Sequence, residues 1–120
     1  MDHSPAFLKL VAEVMPRVTE VDNRTSAELA RTGQAVLIDV REESEWQAAH
    51  AANAKYIGRG ILERDIEKAV PDSDTPIICY CGGGFRSALA ADNLQKMGYT
   101  NVRSMTGGFT GWKEAGLPTE

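Results

Sequence analysis

Short apolar runs alternate with helical patterns along this chain. Residues 35–40 and 77–80 are apolar on both faces, which is typical of central strands in a parallel sheet. Shorter extended segments are predicted at residues 18–21, 55–57 and 102–105. This alternation favours βα units built around a mainly parallel sheet, an α/β fold.

Helical segments are predicted between these strands. Ser4-Pro5 indicates an N-cap followed by proline at the first helical position, and it opens an amphipathic helix that ends at Pro16. The pattern at residues 25–28, Thr-Ser-Ala-Glu, matches a capping box and predicts a helix that starts there and ends near Gly33. Further helices are expected at residues 61–70, at about 86–97, and after Gly107-Gly108.

Composition narrows the possible functions. The chain has 120 residues, of which 42% are hydrophobic, and this suits one ordinary globular domain. The net charge is -4 without a cluster of basic residues, so we expect neither nucleic acid nor membrane partners. The longest apolar runs are far shorter than the roughly 20 residues that cross a bilayer. The N-terminus lacks the pattern of a secretory signal, and a cytoplasmic location is therefore expected.

The two cysteines, Cys79 and Cys81, are one residue apart and cannot form the long-range disulfides of small secreted domains. With only His3 and His50 elsewhere, they make a poor zinc site, so we expect no metal and no cofactor. Cys79 lies inside an apolar strand and is interpreted as an inert packing thiol. Because it alternates onto the same face as Cys81, a redox partnership between them stays open.

Residues 81–87, here called the cysteine loop, join a strand to a helix and read Cys81-Gly82-Gly83-Gly84-Phe85-Arg86-Ser87. Ligands of parallel sheets bind at the carboxyl ends of strands, where Cys81 lies. Three glycines allow consecutive N–H groups to turn inward and form an anion-binding cradle. The helix N-terminus and the Arg86 guanidinium add positive charge. We therefore predict that Cys81 is a thiolate nucleophile and that the cradle can hold the outer sulfur of a persulfide.

Other polar residues have two interpretations each. Asp39, Arg41 and Glu45 are interpreted as a structural ion-pair network rather than a pair of catalytic carboxylates. His50 is interpreted as a hydrogen-bonded structural residue, since a thiolate stabilised by backbone dipoles needs no general base. Arg59 either borders the mouth and attracts an anionic donor or is an ordinary surface arginine.

The aromatic residues divide in the same way. Trp46, Phe109 and Trp112 are expected to pack in the core. Phe85 differs because it lies inside the cysteine loop. It either presents an apolar rim to a thiol or protein acceptor or is a packed ring.

Three stretches resemble the rhodanese family of sulfurtransferases. The cysteine loop is similar to that family's active-site loop throughout, and residues 107–118, which begin Gly-Gly-Phe, are similar to its C-terminal signature. Residues 39–50, which begin Asp-Val-Arg, resemble its upstream signature. There Ala49 replaces the usual Gly, while Ala51 and Asn53 stand where Ile and Gly are common, which is expected to weaken a turn.

The resemblance implies a five-stranded, mainly parallel sheet flanked by helices on both faces. It also divides the chain into an N-terminal helical extension at residues 1–17, a rhodanese domain at 18–118 and a tail at 119–120. The implied activity is sulfur transfer through a persulfide on Cys81. A donor such as thiosulfate would load the cysteine, and a thiophilic acceptor, cyanide or a thiol, would remove the sulfur.

Three alternatives remain open. The first is a non-catalytic binding module with this fold, and the second is a redox switch formed by the two cysteines. The third is a cysteine phosphatase or arsenate reductase. Related phosphatases carry one more residue in this loop than the four that separate Cys81 from Arg86 here, and this difference favours sulfur transfer.

Overall fold

Five strands form one sheet in the computed structural model, which describes residues 3–120. The strands are β1 Thr19–Val21, β2 Val36–Asp39, β3 Ala54–Tyr56, β4 Ile77–Tyr80 and β5 Val102–Met105. Their order across the sheet is β1-β5-β4-β2-β3, and every neighbouring pair is parallel. All four residues of β4 are buried, as expected of a central strand that is apolar on both faces. The predicted five-stranded, mainly parallel sheet is confirmed.

Six α-helices surround this sheet in the described part of the chain. They are α1 Pro5–Val14, α2 Asn23–Arg31, α3 Glu43–Ala48, α4 Leu62–Ala69, α5 Phe85–Lys96 and α6 Gly108–Glu114. One hydrophobic core joins the sheet to Ile66 of α4 and Leu94 of α5. A second core joins it to Phe109 and Trp112 of α6 and to partly buried side chains of α2. The two cores contain different β-strand side chains, so helices cover both faces of the sheet, as predicted.

The helix α1 begins as the sequence indicates. The Ser4 side chain accepts a hydrogen bond from the Phe7 amide at 3.2 Å, and proline is the first helical residue. α1 ends at Val14 and continues as a short 3-10 turn, Met15–Arg17, which contains the proline predicted to stop it. It packs against α5, and Arg17 pairs with the buried Asp92 of α5 at 2.9 Å. This pair connects the end of the N-terminal segment to the helix that follows the cysteine loop.

The predicted start of α2 at Thr25 is wrong. The helix begins two residues earlier, at Asn23, and its N-cap is Asp22. The Asp22 carboxylate accepts hydrogen bonds from the Thr25 amide at 2.6 Å and from the Thr25 hydroxyl at 3.0 Å. Aspartate is at least as good an N-cap as threonine, and Asp22 caps the helix three residues before Thr25. The predicted end is correct, because Gly33 follows the helix in a left-handed conformation, with φ of 76°.

The turn at residues 49–53 departs from the rhodanese sequence pattern, but its residues suit the backbone conformations that they adopt. Ala49 has φ of -175°, an extended conformation that needs no glycine. Asn53 has φ of 70° and is the residue other than glycine that adopts this left-handed conformation in the described chain. Asparagine tolerates that region better than most residues. The segment is also held by the last residues, since the backbones of His50 and Glu120 exchange two hydrogen bonds of 3.1 and 2.8 Å.

None of the helices within residues 3–120 is both long enough and apolar enough to span a membrane.

Candidate active site

Cys81 lies directly after β4, and α5 begins four residues later at Phe85. Because β4 is flanked on both sides by other strands, its carboxyl end is at the middle of the sheet edge. The residue is 1% exposed. The predicted position of the cysteine, between a buried strand and a helix N-terminus, is confirmed by this topology.

Hydrogen-bond donors converge on the Cys81 sulfur. The Gly84 amide donates to Sγ at 3.1 Å, and the Ser87 amide donates at 3.3 Å. The Ser87 hydroxyl oxygen is 3.5 Å from the same sulfur. Two amide N–H groups directed at one buried sulfur stabilise negative charge on that atom.

The glycines of the cysteine loop differ in what they contribute. Gly84 has φ of 109°, a left-handed conformation that strongly favours glycine. Gly82 and Gly83 do not lie in that region, and a side chain at Gly83 would meet no atom within 4 Å. Of the three loop glycines, Gly84 is therefore the one whose left-handed backbone requires glycine.

The back of the cysteine loop is held by α6. The Phe109 amide donates to the Cys81 carbonyl oxygen at 2.7 Å, and the Thr110 amide donates to the Gly82 carbonyl oxygen at 3.1 Å. A Cβ atom at Gly108 would lie 2.5 Å from both of these oxygens, so only glycine permits this close approach. Two carbonyl groups of the loop therefore bond to α6 rather than facing the sulfur. The sequence indicated a helix start at Gly108 but not this contact.

Arg86 is paired with Glu45, which lies on α3. The guanidinium Nη1 is 3.1 Å from Glu45 Oε1, and Nη2 is 3.4 Å from Oε2. Burial alone would lower the pKa of Arg86, but the Glu45 carboxylate and, to a smaller extent, the nearby Cys81 sulfur raise it on balance. A Cβ atom at Gly82 would be 3.4 Å from Nη2, which places the guanidinium beside the loop backbone. Arg86 is thus in the site as predicted, but its charge is shared with a carboxylate.

A second hydroxyl lies behind Ser87. Ser104 of β5 is 1% exposed, and its Oγ is 2.8 Å from Ser87 Oγ. Ser87 is the one partner of the Ser104 side chain among the hydrogen bonds of the described residues. If the Ser104 hydroxyl donates to Ser87, the hydroxyl hydrogen of Ser87 is free to point at the Cys81 sulfur. Sequence reasoning missed Ser104, although a serine in a mostly buried strand is a recognisable signal.

The predicted structural ion pair forms between Asp39 and Arg41, but Glu45, which was predicted to belong to the same network, is not paired with them. Arg41 and Asp39 are both buried and pair at 2.7 Å. The Tyr80 hydroxyl donates to Asp39 at 2.6 Å, and burial together with this hydrogen bond raises the pKa of Tyr80. Arg41 also donates to the Ala49 carbonyl oxygen at 2.7 Å. These contacts fasten the segment after β2 to β4, while Glu45 pairs with Arg86 instead.

His50 has the structural role predicted for it. Its Nδ1 is 3.0 Å from the Trp46 carbonyl oxygen, and its ring stacks on the Trp46 ring with a centroid distance of 3.4 Å. Phe109 and Trp112 are buried in the core, as expected, whereas Trp46 is half-buried between His50 and Tyr56.

Arg59 and Cys79 are engaged in other ways. The Arg59 guanidinium pairs with Glu63 at 2.7 Å, and Glu63 also accepts a hydrogen bond from Asn93. The role predicted for Arg59, attraction of an anionic donor, stays a prediction. Cys79 is completely buried, and burial raises the pKa of its thiol to about 12. That thiol is protonated at neutral pH, in agreement with its interpretation as a packing residue.

The aromatic ring of Phe85 both packs and remains accessible. It is 37% exposed and makes an edge contact with His3 at a centroid distance of 5.0 Å. Phe7 of α1 lies 6.2 Å from Phe85 and 5.2 Å from His3. The N-terminal segment thus adds two rings beside the cysteine loop, and we call these three side chains the aromatic rim.

Within residues 3–120, no three acidic, histidine or cysteine side chains are grouped so that they could hold a metal ion.

Comparison with known proteins gives a consistent result. The family model of the rhodanese-like domain matches residues 22–115. The thiosulfate sulfurtransferase GlpE of Vibrio cholerae is 32% identical over 106 residues, which are 88% of this chain and 98% of that protein. The protein of the same name from Actinobacillus succinogenes is 34% identical over 102 residues, or 85% of this chain and 90% of the relative.

Solved structures extend the similarity to α1. The polysulfide-sulfur transferase homodimer of Wolinella succinogenes matches with a TM-score of 0.81 and 27% identity, over 96% of this chain and 87% of that one. A protein of unknown function from Rhodopseudomonas palustris, called a possible tyrosine phosphatase, matches with a TM-score of 0.88 and 27% identity. That match covers 100% of this chain and 98% of the other.

Proposed function

We propose that this chain, which belongs to the family of rhodanese-like domains and is a sulfurtransferase, carries one sulfane sulfur as a persulfide on Cys81. The thiolate attacks the outer sulfur of a donor such as thiosulfate. The sulfur–sulfur bond of the donor breaks, and sulfite leaves with the electron pair. An acceptor, cyanide or a thiol, then attacks the terminal sulfur and regenerates the thiolate. This is covalent catalysis with a single nucleophile and two half-reactions.

The donors around the Cys81 sulfur carry the proposal. The Gly84 and Ser87 amides converge on a buried atom whose negative charge has to be stabilised both before attack and after the sulfur has left. Preorganised N–H groups stabilise such a charge without reorganisation during the reaction. The thiol of Cys79 lacks this setting and is protonated at neutral pH, so we assign the chemistry to Cys81 alone.

The size of the cysteine loop supports sulfur transfer over ester hydrolysis. Four residues separate Cys81 from Arg86, one fewer than in the related phosphatases. A tetrahedral phosphate needs more room than a single sulfur atom. We therefore extend the activity of the GlpE relatives to this chain, rather than the phosphatase activity suggested for the Rhodopseudomonas palustris protein.

The proposed partners are small molecules and, as acceptors, protein thiols. With a net charge of -4 and no basic cluster, nucleic acid is not among them. We also propose a cytoplasmic location, where free thiols such as these two cysteines stay reduced.

Intact mass spectrometry tests the persulfide directly. Incubation with thiosulfate should add the mass of one sulfur atom, and cyanide should then remove it and yield thiocyanate. Cys81→Ser should show neither step, whereas Cys79→Ser, a matched change two residues away, should show both. Repeating the loading with an organic persulfide separates an unsuitable donor from missing chemistry. The proposal fails if no donor adds sulfur, or if the adduct persists in Cys81→Ser.

A further inference from the structure

The cysteine loop has a single cationic side chain, Arg86, and a carboxylate neutralises it. Glu45 contacts both terminal nitrogens of the guanidinium, at 3.1 and 3.4 Å. The side chains of Arg86 and Glu45 are 34% and 37% exposed, so the pair lies at the accessible side of the loop. An incoming anion therefore meets an ion pair rather than a free guanidinium.

Glu45 is held in this position from its own helix. Its Oε1 accepts a hydrogen bond of 3.0 Å from the Glu42 amide, in a capping box at the start of α3. Partial burial raises the pKa of Glu45, but the hydrogen bonds from Arg86 and from the Glu42 amide together outweigh this effect. The pKa of Glu45 is therefore below its usual value. The carboxylate is thus ionised at neutral pH and cannot swing away without losing its cap.

Neighbouring charges do not compensate for this pair. The other cation close to Glu45 is Arg41, which is buried and bound to Asp39. Glu42 adds a further negative charge near Arg86. These two cations and three carboxylates give a negative balance before the thiolate is counted. A dianion that approaches the sulfur is repelled, while a donor of lower charge is repelled less.

The aromatic rim offers a different kind of contact. Phe85 is 37% exposed, and the rings of His3 and Phe7 lie beside it. Such a surface suits an organic group and gains little from a small hydrated dianion. Charge and apolar area therefore point to the same class of donor.

We infer that Glu45 is a specificity-determining residue that shifts the preferred donor from thiosulfate to organic persulfides. This inference rests on the proposed sulfur transfer by Cys81. The thiolate attacks the outer sulfur of R–S–SH, the sulfur–sulfur bond breaks, and the thiolate R–S⁻ leaves with the electron pair. The proton stays on the transferred sulfur, so the enzyme holds Cys–S–SH until an acceptor thiol removes it.

The test compares single-turnover loading of Cys81 by two donors, thiosulfate and benzyl hydropersulfide generated in situ. Removing one of the negative charges that a dianion meets at the site, in a screened environment, should change its loading rate constant by about tenfold. Glu45→Gln should therefore load about tenfold faster from thiosulfate and change less than about threefold with the hydropersulfide, which carries at most one charge. Glutamine preserves the capping contact.

Glu43→Gln is the matched control. It makes the same change of charge on the same helix, but the Glu43 side chain contacts Gln47 on α3, at 3.1 Å. Both donors should load this variant as they load the wild type. A second measurement needs no variant, because screening of repulsion by salt should leave the wild-type rate with thiosulfate constant or higher.

The outcomes separate the inference from the function on which it rests. Equal changes for both donors in Glu45→Gln, or no change in either, would overturn the role of Glu45. A wild-type thiosulfate rate that falls as salt is added would also overturn it, since that dependence marks an attractive site. In each of these cases, a sulfur adduct on Cys81 would still support the proposed function of sulfur transfer. Failure of both donors to load the wild type would instead refute the proposed function.

Discussion

Replacing Gly108 by alanine puts a methyl group where α6 meets the cysteine loop. The new Cβ would lie 2.5 Å from the carbonyl oxygens of Cys81 and Gly82 and 2.6 Å from the Gly82 carbonyl carbon. The backbone there has φ of 53°, which costs an alanine about 1–2 kcal/mol. Overpacking adds about 1–3 kcal/mol. The expected loss of stability is therefore roughly 2–5 kcal/mol, which typical domains survive.

The effect on activity should be larger than this loss suggests. To relieve the contact, α6 has to move by about 1 Å away from the loop, which weakens the hydrogen bonds of 2.7 and 3.1 Å that hold its carbonyl groups. A displacement of that size in a catalytic site can lower the rate about 100-fold. We expect a loss of this order in the rate at which a donor loads Cys81, while the variant remains folded.

Gly116→Ala is the control for backbone strain. Gly116 has φ of 71°, and a Cβ there would meet no atom within 4 Å. It should therefore lose only the roughly 1–2 kcal/mol of the left-handed conformation and keep wild-type loading. Urea denaturation of both variants measures stability, and intact mass against time measures loading. Equal stability of the two variants, with Gly108→Ala loading at the wild-type rate, would refute the role of this close approach.

Three further changes test other contacts. Ser104→Ala removes the hydroxyl behind Ser87 and should slow alkylation of the Cys81 sulfur by iodoacetamide by several-fold to about tenfold, whereas Ser104→Thr should retain the rate. An unchanged rate in the alanine variant would contradict this. Asp92→Asn should lower stability at neutral pH by roughly 1 kcal/mol. Hydrogen bonds from Arg17 lower the pKa of Asp92, so its contribution is present above the ordinary carboxyl range and is lost as the pH falls through the lowered value. In urea denaturation the gap between wild type and variant should narrow from about pH 5 to pH 2, and a constant gap would exclude this coupling. Asn53→Gly relieves a residue with φ of 70° and should stabilise the domain by about 0.5–1 kcal/mol in thermal unfolding, which a lower midpoint would disprove.

Much of the fold was predictable because its signals are local. Runs that are apolar on both faces indicated the two central strands, and Ser4-Pro5 indicated the start of α1. The error at α2 arose where two good N-caps, Asp22 and Thr25, lie three residues apart. Which of the two residues caps the helix depends on where β1 ends, and the periodicity of the sequence does not contain that information.

The site was predictable only as far as it is contiguous. Cys81 and its donors Gly84 and Ser87 lie within one loop, so their chemistry could be inferred from neighbouring letters. Ser104 and Glu45 come from other elements, and Glu45 is 41 residues from Arg86. Such contacts are set by strand order and helix packing. The upstream signature identified the segment that contains Glu45, but it did not show that this carboxylate pairs with Arg86.

The contact between α6 and the cysteine loop also bears on synthesis of the protein. The amides of residues 109 and 110 are among the last parts of the domain to leave the ribosome, yet they hold the carbonyl groups of residues 81 and 82. A nascent chain that has already formed its sheet therefore still lacks the two hydrogen bonds that hold the loop carbonyl groups. We expect the loop to reach its final geometry, and Cys81 its full reactivity, only after residues 109 and 110 have emerged.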